Sequence, residues 1–323
     1  MPWWLQPCRV ERVCGWPRWL ILSLPCYWCI DREQRKESKG DGMKILVILD
    51  TGNYSRKIIK DVARLAENTF ADIVFLGVQE NDKKPAKSLV NGLLKYQQDL
   101  YGFFPPDDLP YAEFPDETWQ KTGPGKWLLT SRGVKEFSLH IRTGSVAKEG
   151  LALAAEVESD LIILGCSRKF GCEWDGEMNV PLRLARDAPC SVLVIKQVGR
   201  AKQIISILDQ SVVSQDSLEM VNQLVTLHDA GLKIVGVKEK KGKKDKIEKR
   251  MVELLKYYNE LGIGAWIKLI NREEVQDYVT ASSREGIVAL WMGGRESLLK
   301  KLFSRSMVDK LLESTTSSLL ILR

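Results

Sequence analysis

MKILVILD, residues 43–50, decides the fold, because an apolar strand ending in aspartate returns as IISILD at residues 204–209. Each copy is followed later by a second apolar run that ends in glycine, DLIILG at residues 160–165 and IVALWMG at residues 287–293. A pattern that occurs twice in the same order predicts two similar domains in tandem. The length of 323 residues suits this interpretation, since common domains hold about 150 residues each.

The residues between these runs alternate between strand and helix patterns. Continuously apolar runs of strand length, such as residues 72–78 and 191–195, are separated by segments with apolar residues at helical spacing. This alternation predicts parallel strands with helices on both faces and right-handed crossovers. Residues 102–130 contain five prolines and read as a long irregular insertion. We therefore predict an α/β fold of two domains, residues 43–198 and 203–323, joined by a short linker.

Residues 1–42 differ from the rest of the chain, because they hold five of the ten tryptophans and four of the seven cysteines without helical or strand periodicity. We expect a disordered extension, or a start assigned too early ahead of Met43, with no contribution to the folded core. WLILSL at residues 19–24 leaves open a membrane-associating tail, although it is too short to span a bilayer well. The CxxC spacing of Cys26 and Cys29 leaves open a metal site.

Charge, cysteines and histidines exclude several classes of function. The net charge of +6 comes largely from KEKKGKKDKIEKR at residues 238–250, which without interleaved aromatic residues predicts a solvated segment and no nucleic-acid partner. Irregularly spaced cysteines in the body of the chain predict a reducing cytoplasm and no structural disulfide. His140 and His228 have no cysteine or carboxylate at metal or triad spacing, so we predict no metal site and no catalytic residue.

Several segments resemble the universal stress protein family. The strongest are DLIILG at residues 160–165 and APCSVLVI at residues 188–195, which look like the family's DLIVMG and APCPVLVV segments. Asp50 and Asp209 stand at the strand ends where the family also has aspartate. The resemblance covers nearly all of residues 43–323 in two copies. It implies two doubly wound, five-stranded parallel sheets of order 3-2-1-4-5, an adenine-nucleotide-hydrolase-like fold.

The resemblance also implies where a nucleotide would bind. ATP-binding members have a loop of the form G-x2-G-x9-G-[ST] after strand four, because backbone N–H groups and a helix N-terminus hold the phosphates. The first copy keeps Gly165, but Arg168 and Met178 stand at the other two glycine positions and Asn179 at the hydroxyl position. The second copy keeps Gly293 and Ser306, with Arg305 at the last glycine.

These positions define the candidate site. The nucleotide-binding candidates in the first copy are Asp50, Val78, Gly165, Arg168 and Asn179. Their equivalents in the second copy, which we expect to be inactive, are Asp209, Val237, Gly293 and Ser306.

Two functions of different classes follow from the degraded glycine loop. The preferred one is a non-enzymatic stress-response or regulatory protein that uses no cofactor and acts by binding a protein partner. The alternative is an ATP-binding module, with magnesium and slow hydrolysis, that uses the first-copy loop. We expect the two domains to pair within the chain, with a homodimer as the alternative assembly, a cytoplasmic location and no membrane partner.

Overall fold

The computed structural model describes residues 42–80, 84–114, 118–166, 173–174, 177–196, 199–208, 215–238, 244–282, 286–291 and 316–323. The predictions for residues 1–41 lie outside this part of the chain, as do Arg168, Asp209, Gly293 and Ser306. Residues 42–323 form one compact unit.

The first half of the chain folds as alternating strands and helices from the run that opens the repeat. Its elements are β1 (Lys44–Leu49), α1 (Asn53–Thr69), β2 (Asp72–Gln79), α2 (Lys87–Tyr101), β3 (Gln120–Gly123), β4 (Lys126–Arg132), β5 (Glu136–Thr143), α3 (Val146–Glu156), β6 (Leu161–Gly165), β7 (Glu173–Trp174), β8 (Glu177–Met178), α4 (Val180–Asp187) and β9 (Ser191–Ile195). β1 is buried from Ile45 onward and β6 along its whole length, because helices cover both faces of the sheet.

The second half repeats this alternation. Its elements are β10 (Gln203–Leu208), α5 (Gln215–His228), β11 (Gly231–Lys238), α6 (Lys244–Glu260), β12 (Ala265–Asn271), α7 (Val275–Ser282), β13 (Gly286–Trp291) and β14 (Ser318–Leu322). The two halves match in detail. A Cβ atom on Gly77 of β2 would clash with Leu89 and Leu93 of the next helix, and one on Gly236 of β11 would clash with Met251. Glycine thus lets a helix approach the second strand closely in both halves.

Twelve of the described strands form one sheet, in the order β12-β11-β10-β13-β14-β9-β6-β1-β2-β5-β4-β3. The parallel strands of the first half run β5-β2-β1-β6-β9, and those of the second run β12-β11-β10-β13-β14. Numbered in chain order within each half, both give the predicted order 3-2-1-4-5. The strand order implied by the family resemblance is therefore confirmed twice.

The two parallel sets associate edge to edge and form one continuous sheet. β9 and β14, the fifth strands of the two halves, pair antiparallel, with Leu320 opposite Leu193. Each of these strands would otherwise be an edge with unpaired N–H and C=O groups, although both are buried along their whole length. Pairing satisfies both edges at once, and Lys196 N–H adds a hydrogen bond of 3.1 Å to Ser318 Oγ.

The insertion predicted as irregular is only partly so. Residues 120–132 form the hairpin β3-β4, whose second strand pairs antiparallel with β5 and places Trp127 opposite Ile141 and Leu129 opposite Leu139. Trp127 and Leu129 are buried while their neighbours along β4 are half-exposed, which is the alternation of a strand with one covered face. Most of the prolines precede the hairpin, so the proline count concealed its short alternating pattern.

Helices from the two halves also pack together across the sheet junction. The Asn68 side chain at the end of α1 donates a hydrogen bond to Gln223 of α5. Below it, a cavity of about 20 Å³ is lined by Asp61 of α1, His228 of α5 and apolar side chains from both halves. His228 Nδ1 accepts the Ala201 N–H at 3.1 Å, which requires an unprotonated Nδ1. Polar groups thus lie buried inside an otherwise apolar junction.

Cys166 corrects the expectation of no structural disulfide. This buried residue directly follows β6 and is disulfide-bonded. Cys190 is free and half-buried, and burial raises the pKa of its thiol.

Candidate functional site

Three of the predicted nucleotide-binding residues lie along one edge of the sheet. Asp50 directly follows β1, Val78 is the penultimate residue of β2, and Gly165 ends β6. β1 lies between β2 and β6 and pairs parallel with both, so the three carboxyl ends meet at the same edge. Ligands of open α/β sheets bind at such edges. The structure therefore brings Asp50, Val78 and Gly165 together.

Asp50 organises the turn from β1 into α1. Its Oδ1 accepts the Gly52 N–H at 3.0 Å and the hydroxyl of the fully buried Ser55, while its own N–H donates to Ser55 Oγ at 2.8 Å. Its carbonyl accepts the Tyr96 hydroxyl at 3.0 Å. These bonds give Asp50 a structural role. Within the described residues no donor hydrogen-bonds to Asp50 Oδ2, so one carboxylate oxygen remains for a ligand.

Gly165 is required by helix packing. A Cβ atom at this position would lie 3.1 Å from the Tyr54 carbonyl oxygen and 3.2 Å from the Tyr54 Cβ, in the first turn of α1. Such contacts are tighter than side chains normally make, and here the obstacle is backbone that cannot swing aside. The glycine that the sequence offered as the start of a phosphate loop therefore has a sufficient structural reason.

Val78 faces an ion network that sequence reasoning missed. Its partner in register on β5 is Arg142, whose side chain is 2% exposed. The Arg142 guanidinium contacts Glu156 Oε2 at 2.7 Å and Glu149 Oε2 at 3.7 Å, and Lys126 Nζ reaches Glu156 at 3.3 Å. The hydrogen bond from Arg142 holds the pKa of Glu156 below its usual value. The available signal was weak: an arginine at the end of an alternating strand, followed by two glutamates seven residues apart on the next helix.

The remaining site candidates have different surroundings. Asn179 adopts a left-handed conformation, φ 63°, just before α4, and its exposed side chain makes no cap hydrogen bond. Val237 of β11 occupies the place that Val78 has in β2 but is fully buried. Burial lowers the pKa of the His140 imidazole to about 4, so this side chain is neutral near pH 7. His140 therefore adds no positive charge to the candidate nucleotide site near pH 7.

Among the described residues no helix is long and apolar enough to cross a membrane. In the same part of the chain no three His, Cys, Asp or Glu side chains are grouped so that they could hold a metal ion.

Comparisons with known proteins agree with this architecture. The profile of the Universal stress protein family matches residues 43–196. Universal stress protein MJ0531 of Methanocaldococcus jannaschii is 25% identical over 174 residues, which are 48% of this chain and 96% of that protein. The similarity to this relative therefore covers one copy of the repeat.

Solved structures resemble the chain over both halves. A putative universal stress protein from Pseudomonas aeruginosa UCBPP-PA14 has a TM-score of 0.54 at 14% identity, covering 87% of this chain and 93% of that one. A universal stress protein from Archaeoglobus fulgidus DSM 4304 has a TM-score of 0.53 at 11% identity, covering 87% and 96%. Residues 43–196 thus match the universal stress protein family, and the fold of these solved proteins extends over both halves of the chain.

Proposed function

We propose that this protein acts in the stress response by binding a partner protein, that it catalyses no reaction and that it uses no cofactor. The match of residues 43–196 to the universal stress protein family supports a stress-response role. The finer statement, that this role is exerted through partner binding, rests on the structure of the carboxyl edge of the sheet, where a nucleotide would bind.

The observation that carries the proposal is the fit of Tyr54 against Gly165. A phosphate loop needs glycine so that a ligand can approach the backbone. Here the first turn of α1 fills the space over Gly165. Asp50 is likewise engaged by Gly52 and Ser55. Asp50 and Gly165 therefore both have structural roles.

A second candidate function is binding of ATP, with magnesium and slow hydrolysis. One observation favours it: Asp50, Val78 and Gly165 remain side by side at the carboxyl edge, and Asp50 Oδ2 has no hydrogen-bond donor within the described residues. In this proposal Asp50 would contact the nucleoside, and Arg168 and Asn179 would lie towards the phosphates. The equivalents Asp209, Val237, Gly293 and Ser306 would be inactive.

Equilibrium binding of labelled ATP with magnesium separates the two functions. We expect a dissociation constant weaker than about 100 μM, which corresponds to about 5.5 kcal/mol. Asp50→Asn and the exposed control Asp107→Asn should then behave alike. Low-micromolar binding that Asp50→Asn abolishes and Asp107→Asn preserves would contradict the proposal and establish the nucleotide function.

Cross-linking in cells tests the partner-binding role itself. A tagged chain treated with a short amine cross-linker should yield a discrete adduct with another protein, and Asp50→Asn should leave that adduct unchanged. Absence of any adduct under growth and stress conditions would contradict the role.

The proposed cytoplasmic location is tested by the thiol state of Cys166 in the same cells, because a cytoplasmic disulfide would be exposed to reduction.

A further inference from the structure

The outer edge of β12 differs from the other edges of the two parallel strand sets. β9 and β14 cover each other, and β4 covers β5. β12 ends the sheet on the opposite side, and no described strand pairs with its outer edge. It is seven residues long, enough to accept a partner strand. Bare edges of this length are sites where another strand can be added.

The backbone of β12 shows which residues offer that pairing. Leu232 of β11 donates its N–H to the Gly264 carbonyl, and backbone groups of alternate residues along a strand point to the same side. Ala265, Ile267 and Leu269 therefore turn their N–H and C=O groups away from β11. The next residue in this row, Asn271, already gives its N–H to the Glu274 carboxylate at 3.0 Å. Within the described structure the unpaired row therefore runs over residues 265–269.

Two large apolar side chains in the middle of β12 are exposed. Trp266 is 60% exposed and Ile267 is 42% exposed, although both belong to a strand of the sheet. Lysine on an edge strand often discourages pairing. Here Lys268 Nζ lies 4.6 Å from the centre of the Tyr278 ring, on one face of the sheet, where the ring holds it by a cation–π contact. The backbone edge beside Lys268 is therefore left accessible.

The first half of the chain shows what a strand on this edge would look like. Gly77 of β2 pairs in register with Ile141 of β5, and its counterpart Gly236 of β11 pairs with Leu269 of β12. Leu269 is therefore the counterpart of Ile141. Two residues earlier, Ile267 is the counterpart of Leu139. Leu139 and Ile141 are fully buried, because β4 lays Leu129 and Trp127 opposite them. The same two positions on β12 have no such cover in the described structure. β4 is therefore an internal template for a strand added to the outer edge of β12.

We propose that β12 is a docking edge for one extended strand of a partner protein. The strand pairs antiparallel, with an aromatic residue facing Leu269 and an aliphatic residue facing Ile267, as Trp127 and Leu129 do on β5. The residue between them faces Lys268. This residue is acidic, because two positive charges lie on this face: Lys268 and Lys233, which is 5.8 Å from the Tyr278 ring. This inference deepens the proposed partner-binding role, on which it rests, by naming the surface and the chemistry of the partner.

A second copy of the chain fits this edge less well. If two β12 strands paired antiparallel with Ile267 of each facing Leu269 of the other, the two Lys268 side chains would stand directly opposite. Like charges placed opposite each other in neighbouring strands destabilise the pair. An acidic partner strand removes this repulsion and replaces it with attraction.

The probe is a fluorescein-labelled peptide of residues 125–133 of this chain that carries Leu128→Glu, titrated with the full protein and followed by anisotropy. We expect saturable binding to the wild-type chain and at least a tenfold loss for Ile267→Pro and for Ile267→Lys. Proline at 267 removes an N–H that points away from β11, so pairing with β11 is kept. Val134→Lys alters another exposed apolar residue, 76% exposed and beside β5, and should bind as the wild type does.

Three results would overturn the inference. The first is no saturable binding to a wild-type chain that unfolds cooperatively. The second is equal binding by the wild type and both Ile267 variants. The third is a wild-type dimer in sedimentation that Ile267→Lys dissociates, which would assign the edge to a second copy. Equal affinity of the unmodified 125–133 peptide would reject the acidic residue alone.

The cross-linking experiment separates this inference from the proposed function. If the wild-type chain forms its adduct and Ile267→Lys loses it, both stand. If Ile267→Lys keeps the adduct, the partner binds elsewhere, so the edge is rejected while the partner-binding role remains.

Discussion

Asp61 and His228 line the same cavity at the junction of the two halves, and burial perturbs them in opposite directions. It raises the pKa of Asp61 from 3.8 to about 6 and lowers the pKa of His228 from 6.5 to about 4. Both changes favour the neutral form. Between about pH 4 and pH 6 the folded chain therefore holds a proton on Asp61 that the unfolded chain has released, and lacks one on His228 that the unfolded chain binds.

These two groups should have opposing effects on the pH dependence of stability. As pH rises from about 4 to 6, Asp61 lowers the free energy of unfolding and His228 raises it, each by about 1.4 kcal/mol per pH unit. Relative to wild type, Asp61→Asn should gain stability across this range, and His228→Gln should lose it. Urea denaturation at half-unit steps measures both slopes. The exposed control Asp107→Asn should run parallel to wild type, and parallel curves for all three would contradict the prediction.

Arg142→Gln should destabilise the fold by about 1–2 kcal/mol, because it removes a buried guanidinium that contacts Glu149 and the half-exposed Glu156. Arg132→Gln is the matched control on the preceding strand. Arg132 also pairs with a glutamate, Glu136 at 3.3 Å, but its side chain is 81% exposed. We expect that substitution to change stability by less than about 0.5 kcal/mol. Equal effects of the two substitutions in chemical denaturation would show that burial of the Arg142 side chain does not matter.

Gly165→Ala should cost about 1–3 kcal/mol, because the added methyl group meets the Tyr54 backbone. Gly92→Ala provides the contrast. In α2 an added Cβ atom meets only Thr51 Cγ2 at 3.7 Å, so the gain in helix propensity should stabilise the fold by about 0.5–1 kcal/mol. Thermal and urea unfolding of the two variants should shift in opposite directions. A neutral Gly165→Ala would remove the structural reason given for that glycine.

Deleting residues 1–41 should leave the unfolding midpoint within about 1 °C of the full chain, since a segment without periodicity buries little surface in register with the fold. Residues 42–323 form one compact unit, which gives the deletion a defined boundary. Calorimetry on both chains measures the difference. A lower midpoint would show that the segment belongs to the core, and a full chain that needs detergent while the deletion does not would indicate a membrane-associating tail.

Most of the strand framework was readable from the sequence, because strands buried on both faces are continuously apolar. KILVIL of β1 and LIILG of β6 are examples, and the repeat of that pattern in β10 and β13 indicated the duplication. The strand order came from the family resemblance. What the sequence did not predict depends on long-range pairing. The joining of β9 to β14 requires two edges more than 120 residues apart in sequence, since Val192 pairs with Ile321.

The candidate site was less predictable than the fold. Motif spacing identified Gly165, but its contact with Tyr54 depends on how α1 crosses β6, which no local pattern records. Arg142 was missed because β5 reads as an ordinary alternating strand, and its glutamate partners lie on the following helix. Cys166 was misjudged because irregular cysteine spacing says little about which thiols meet.

The antiparallel seam of β9 and β14 has a consequence for how the halves have diverged. Two separate subunits joined at such a seam would come apart on dilution and would carry every substitution twice. In a single chain the tether keeps the effective concentration of the seam high whatever the protein concentration. Each half is also free to change alone, and a hairpin covers β5 while β12 has no described strand on it. The seam thus makes asymmetry between two copies of one fold permissible.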